Sequence, residues 1–80
     1  MNSLADVVSI NPKVMGGTPV FAGTRVPIQS LFDHIELGIT VDAFLEDFPS
    51  VSKEQVMGVL KIAERLLTAP NLTSIYAAAA

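Results

Sequence analysis

The sequence predicts a mainly α fold in which an N-terminal β-hairpin precedes a three-helix bundle with a helix-turn-helix-like pattern. Three observations lead there. The run Gly16 to Pro27, GGTPVFAGTRVP, is punctuated by glycine and proline as tight turns between short extended pieces require. Behind it, apolar residues recur at three- and four-residue spacing in three segments, each with its own start and stop signals. The last segment opens on Ser52-Lys53-Glu54-Gln55, which has the S-x-x-Q form of a capping box.

Val7 to Ile10 is short and β-branched, Asn11-Pro12 begins a turn that reaches Gly16-Gly17, and Val20-Phe21 resumes an extended run, so these residues form the hairpin. The unit Gly17-Thr18-Pro19-Val20 recurs six residues later as Gly23-Thr24-Arg25-Val26-Pro27. Two short extended pieces are thus each introduced by a Gly-Thr turn. Glycine supplies positive φ, while Pro19 and Pro27 fix φ and push Thr18 and Val26 toward extended conformations. Gly17, Gly23, Thr24, Arg25 and Pro27 are therefore read as structural motif residues. Arg25 is the sole cation between Lys13 and Lys53. Its expected role is an internal ion pair with an acid of the first two helices, ahead of a contact with a bound carboxylate or phosphate.

Pro27 suits the first position of a helix that carries Ile28, Leu31, Phe32 and Ile35 on one side and stops at Gly38. Thr40 caps a second, about two turns long, with Val41, Phe44, Leu45 and Phe48 on one side and Pro49 at its end. The third starts at the capping box. Val56, Val59, Leu60, Ile62, Ala63, Leu66 and Leu67 cover one broad side of it, and Lys53, Glu54, Lys61, Glu64 and Arg65 the other. Burying that side would contribute on the order of 10 kcal/mol before conformational entropy is charged against it. Met57 and Gly58 fall among the charged residues, as a neutral surface pair or as a place where a partner's backbone comes close. Pro70 and Asn71 end this helix, dividing the chain into one domain over 1–70 and a tail over 71–80.

Eighty residues, half of them hydrophobic and 16% charged, are poorer in charge than the roughly 25% of ordinary soluble domains. A chain so small buries only about 60 to 65% of its unfolded surface. Together these features predict a homodimer, with the hairpin contributing to the interface. The absence of cysteine removes disulfides and thiolate metal sites, and no run approaches the ~18 to 20 apolar residues of a membrane span, so a soluble cytoplasmic protein is expected. Leu31 to Phe48 holds Asp33, Glu36, Asp42, Glu46 and Asp47 and no Lys or Arg. With a formal net charge of -3, this acidic face suits a basic protein partner better than a phosphate backbone.

No enzyme is expected, and no cofactor or metal. Ser30 and His34 lie one helical turn apart with Asp33 next in sequence, but Asp33 points about 100° away around the helix and cannot orient the imidazole. A histidine at the edge of a core helix is the better reading. The glycine-rich run lacks both the Gly-Lys-Ser/Thr ending of a P-loop and the spacing of a dinucleotide site. Lys53, Lys61 and Arg65 are candidate phosphate contacts if the last helix serves as a recognition helix, although Glu54 and Glu64 interrupt them. Leu72, Ile75 and Tyr76, in a tail without charged side chains, are candidate partner contacts. The four terminal alanines would extend a helix or remain without structure.

Asn11-Pro12, Gly16 to Phe21, Gly23 to Pro27, Gly38, the Asp47-Phe48-Pro49 corner and the alanine-bearing last helix together resemble the bacterial and archaeal family called domain of unknown function 433. The resemblance spans about Val8 to Leu67, and its G-x-P-x-x-x-G-T-R-x-P portion is specific. It implies a hairpin followed by a three-helix, homeodomain-like bundle, usually dimeric. Members are regarded as VapB-type antitoxins made beside a toxin with a PIN-like ribonuclease fold, and no catalytic residues come with the resemblance. The expected function is therefore an antitoxin that neutralises a PIN-like ribonuclease, with operator DNA as a further ligand. The alternative is a standalone helix-turn-helix DNA-binding regulator.

Overall fold

The computed structural model describes residues 4–79, so residues 1–3 of the expected domain and Ala80 of the expected tail lie outside it. Val8–Ser9 (β1) and Val20–Phe21 (β2) pair antiparallel, Val8 opposite Phe21 and Ser9 opposite Val20. A short helix, Leu4–Val7 (α1), precedes β1 and takes Val7, whose β-branched side chain suggested strand, into a helical turn. The loop between the strands is ordered by Asn11. Its side chain accepts from Lys13 N–H at 2.9 Å and its carbonyl from Val14 N–H at 2.8 Å, ahead of a 3₁₀ turn at Met15–Gly17.

β2 is paired on both of its edges. Ala22 N–H donates to Val7 C=O on one side, and on the other Phe21 N–H donates to Val26 C=O while Ile28 N–H donates to Pro19 C=O, with Val20 bridged to Pro27. This central position buries Val20 and Phe21 completely. The turn from Phe21 to Val26 is closed by Thr24, whose N–H and hydroxyl both donate to Phe21 C=O and whose Oγ1 accepts from Val26 N–H at 3.0 Å. Gly23 sits in it at φ +76°, a left-handed conformation that costs an L side chain about 1–2 kcal/mol.

Ile28–Glu36 (α2) begins one residue later than expected. Pro27 holds an extended ψ of 141° because it bridges to β2, and so serves as the N-cap. Its C-terminus is a Schellman motif: Gly38 at φ +81° lets Gly38 N–H reach Ile35 C=O and Ile39 N–H reach His34 C=O, both at 2.9 Å. Val41–Asp47 (α3) is capped by Thr40, whose hydroxyl accepts from Ala43 N–H at 3.1 Å. Lys53–Leu67 (α4) has the full capping box, Gln55 N–H to Ser52 Oγ at 3.1 Å and Ser52 N–H to Gln55 Oε1 at 3.0 Å. Its last turn closes at Thr68, whose hydroxyl and N–H both return to Glu64 C=O, before Pro70 is reached. The tail then forms a further helix, Leu72–Ala79 (α5), which includes Ala77 to Ala79 and buries none of its residues. The fold is thus mainly helical with one small antiparallel sheet.

The core draws on α1, β2, α2, α3, α4 and the turn before α4: Val7, Phe21, Leu31, Phe44, Val51, Val56 and Val59 form one cluster. Phe44 is its centre, with ring centroids 6.1 Å from Phe21 and 4.8 Å from Phe48. The broad apolar side expected of α4 is only partly used. Val56 and Val59 are buried, Leu60, Ile62 and Ala63 are half-buried, and Leu66 and Leu67 are exposed, because the body of the domain ends before the helix does. Gly58, expected among the surface residues, is buried, on the helix against which α1 packs. The radius of gyration, 14.0 Å, exceeds the roughly 12 Å of a compact chain of this length. α5 stands off the body.

Gln55 ties the two halves of the domain together, since its amide Nε2 donates to Ala22 C=O in the hairpin at 2.8 Å. Gln55→Glu keeps the acceptor that Ser52 N–H needs and removes the donor, so it should cost about 1–3 kcal/mol. A melting temperature equal to the wild type at pH 7 would refute the coupling. Gly23→Val should lower stability by about 1–2 kcal/mol through the backbone alone, because a Cβ there meets nothing within 4 Å. For a domain of this size that is a fall of several degrees in Tm, readable by thermal denaturation.

Candidate functional site

His34 is anchored by its own helix and by two phenylalanine rings. Its Nδ1–H donates to the carbonyl of Ser30 at 2.6 Å, so the imidazole engages that residue's backbone and not its hydroxyl. The ring stands edge-on to Phe44 and Phe48, with centroids 5.2 and 5.5 Å away. Nε2 lies 4.0 Å from Asp47 Oδ2, so Asp47, one acid of the expected acidic face, stands across the α2–α3 junction from the histidine while remaining largely exposed. Asp33 is exposed and forms no hydrogen bond or ion pair with His34 among the described residues. Ser30, Asp33 and His34 therefore do not converge. Nor do any three His, Asp or Glu side chains gather closely enough to hold a metal ion among the described residues.

The turn residues Gly23, Thr24 and Pro27 are brought together around β2, and Gly17 closes the preceding 3₁₀ turn at φ +90°. Arg25 corrects an expectation: it is exposed and forms no ion pair among the described residues. Thr24 closes the turn with its own hydroxyl, so the turn needs no charged clamp, and Arg25 is left facing solvent.

Lys53, Lys61 and Arg65 are all exposed on α4. Lys61 Nζ is 2.7 Å from Glu64 Oε1, one turn along the helix. That hydrogen bond, then the Lys61 charge and a smaller effect of Arg65, hold the Glu64 carboxyl below the usual glutamate range. Arg65 is likewise engaged. Lys53 lies about 12 Å along the helix from Lys61. The three cations are dispersed and partly neutralised, and they do not make a continuous basic strip.

The apolar candidates present a different picture. Ile75 and Tyr76 of α5 are 57% and 73% exposed, and Leu72 turns inward toward the end of α4. Between α4 and α5 lies an open cleft of about 700 Å³, lined by Leu67, Leu72, Ile75, Tyr76 and Ala79 with Thr68, Ala69 and Thr73. No residue outside 67–79 lines it, so this cleft is a property of the α4–α5 corner alone. A second apolar groove runs where α1, β1, α2 and α4 meet. The sequence reading missed it by assigning Ile62, Ala63 and Leu66 to the core. The available signal was an apolar stripe on α4 longer than a core of eight buried hydrophobic residues can cover. No helix is long and apolar enough to cross a membrane among the described residues.

An uncharacterised protein of Sinorhizobium fredii (strain NBRC 101917 / NGR234), y4eO, is 37% identical over 51 residues, which is 64% of this chain. The chain spans 23% of that relative's length. No solved structure matches. The family model for "Protein of unknown function (DUF433)" matches residues 8–63, a span that contains the hairpin, both Gly-Thr turns, α2, α3 and the buried half of α4, and the chain belongs to that family.

Proposed function

We propose that this protein is a noncatalytic antitoxin of a type II toxin–antitoxin pair, which binds and neutralises a PIN-like ribonuclease in the cytoplasm. The observation that carries the reading is α5, an eight-residue helix without a charged side chain in which Leu72 is half-buried and no residue is buried. A helix of this kind suits docking into an apolar groove of a partner, where Ile75 and Tyr76 lose water at little polar cost. The acidic helices α2 and α3 would add attraction toward a basic RNA-binding surface.

The homeodomain-like helix-turn-helix regulator, formed by α3 and α4, is the second reading. Exposure of Lys53, Lys61 and Arg65 favours it, and the Lys61–Glu64 pair weakens it. In that reading the isolated chain binds DNA with a salt slope that flattens by up to about three contacts when the three residues become alanine. In the antitoxin reading the isolated chain binds DNA weakly, and a toxin that supplies positive charge strengthens it.

Deletion of residues 71–80 should leave the thermal unfolding of the remaining domain nearly unchanged, because no residue of α5 is buried. The same deletion, and the pair Ile75→Asp with Tyr76→Ser, should abolish inhibition of the PIN-like ribonuclease encoded in the neighbouring reading frame, measured by cleavage of a labelled RNA. Full inhibition by the truncated chain would move the toxin site to the acidic helices. Absence of any such ribonuclease beside the gene would end the antitoxin reading.

A further inference from the structure

We infer that Met15, at the tip of the hairpin loop, is a second anchor for the ribonuclease, its side chain entering an apolar pocket of that protein; this rests on the antitoxin reading. Met15 holds φ +51° and, among the described residues, is the only one other than glycine at positive φ. Gly16 and Gly17 follow at +65° and +90°. The turn thus runs through three left-handed positions in succession and has glycine at two of them. Glycine enters that region freely, whereas a Cβ resists it. A third glycine would close the same turn with less strain.

The fold does not account for the methionine. Its side chain is 45% exposed and lies outside the core cluster. To the turn Met15 contributes its carbonyl, which accepts from Thr18 N–H at 3.2 Å and which any residue would supply. Around it the loop is framed by Asn11, which accepts from the N–H groups of Lys13 and Val14, and by Gly17 N–H bonded to Val14 C=O at 3.1 Å. These bonds hold the strained residue in place at the surface. Leu37 and Met57 are exposed as well, but neither has positive φ, and exposure alone is the ordinary condition of many apolar side chains. At Met15 exposure and strain coincide, as they do where a residue is kept for a contact outside its own chain.

The side chain indicates what it meets. An unbranched thioether adapts to irregular apolar pockets and is favoured against aromatic walls. Lys13, two residues earlier, is exposed and is the only charged residue from Val7 to Thr24. The loop therefore offers an apolar tip beside one cation, which fits a protein pocket of aromatic or aliphatic side chains with a carboxylate at its rim. A phosphate backbone provides no such pocket. Size points the same way, since α5 has eight residues and a standard interface engages roughly 20–30 on each side. Tight neutralisation needs a further anchor on the body of the domain.

Three substitutions test this, read by thermal denaturation and by inhibition of the PIN-like ribonuclease encoded in the neighbouring reading frame. Met15→Gly relieves the strain and should melt no lower than the wild type, yet inhibit at least ~10-fold less well, the scale of an interface hot spot. Met15→Asn tolerates left-handed backbone without glycine's freedom and should lose inhibition to the same degree. Met15→Leu keeps the apolar bulk and should retain it. A lower melting temperature for Met15→Gly overturns the inference, because the side chain would then be held by its own chain. Inhibition lost in Met15→Gly but kept in Met15→Asn also overturns it, since the loss would come from a loosened loop. If both inhibit like the wild type while the chain lacking residues 71–80 does not, this inference falls and the antitoxin reading stands. A wild-type chain that fails to inhibit the ribonuclease ends both.

Discussion

The amide of Gln55 joins the local architecture of α4 to the hairpin. Its oxygen accepts from Ser52 N–H and completes the capping box, while its nitrogen donates to Ala22 C=O, thirty-three residues away. Ala22 in turn donates its own N–H to Val7 C=O. One side chain therefore connects the first turn of α4, the corner after β2 and the end of α1. In so small a core, this polar link adds to the apolar contact between hairpin and helices, where Phe21 packs on Phe44.

The consequence is a core concentrated at the N-terminal half of α4. Val56 and Val59 pack beneath the hairpin and Phe44, whereas Leu66 and Leu67, two turns further on, have no body to pack against. The residues that cover α4 reach only its first half, so the apolar stripe of this fifteen-residue helix outruns the buried core. The groove and the α4–α5 corner arise from this mismatch between helix length and domain size.

Features encoded over a few residues were legible in the sequence. The Ser52–Gln55 box, the Thr40 cap and the Gly38 stop each rest on contacts within five residues, and each forms as expected. Longer-range relations were not legible. Nothing in the periodicity of α4 distinguishes Val59 from Leu66, because a helical wheel reports which side a residue occupies and not how far the rest of the domain extends. Arg25 illustrates the same limit, since its charge suggested an ion pair while the Thr24 hydroxyl, one residue before it, had already satisfied the turn. The short helix Leu4–Val7 escaped because its last residue is β-branched and adjoins a strand. For the candidate sites, residue type and exposure could be read at Lys53, Lys61, Ile75 and Tyr76, but the pairing of Lys61 with Glu64 emerged only with side-chain placement.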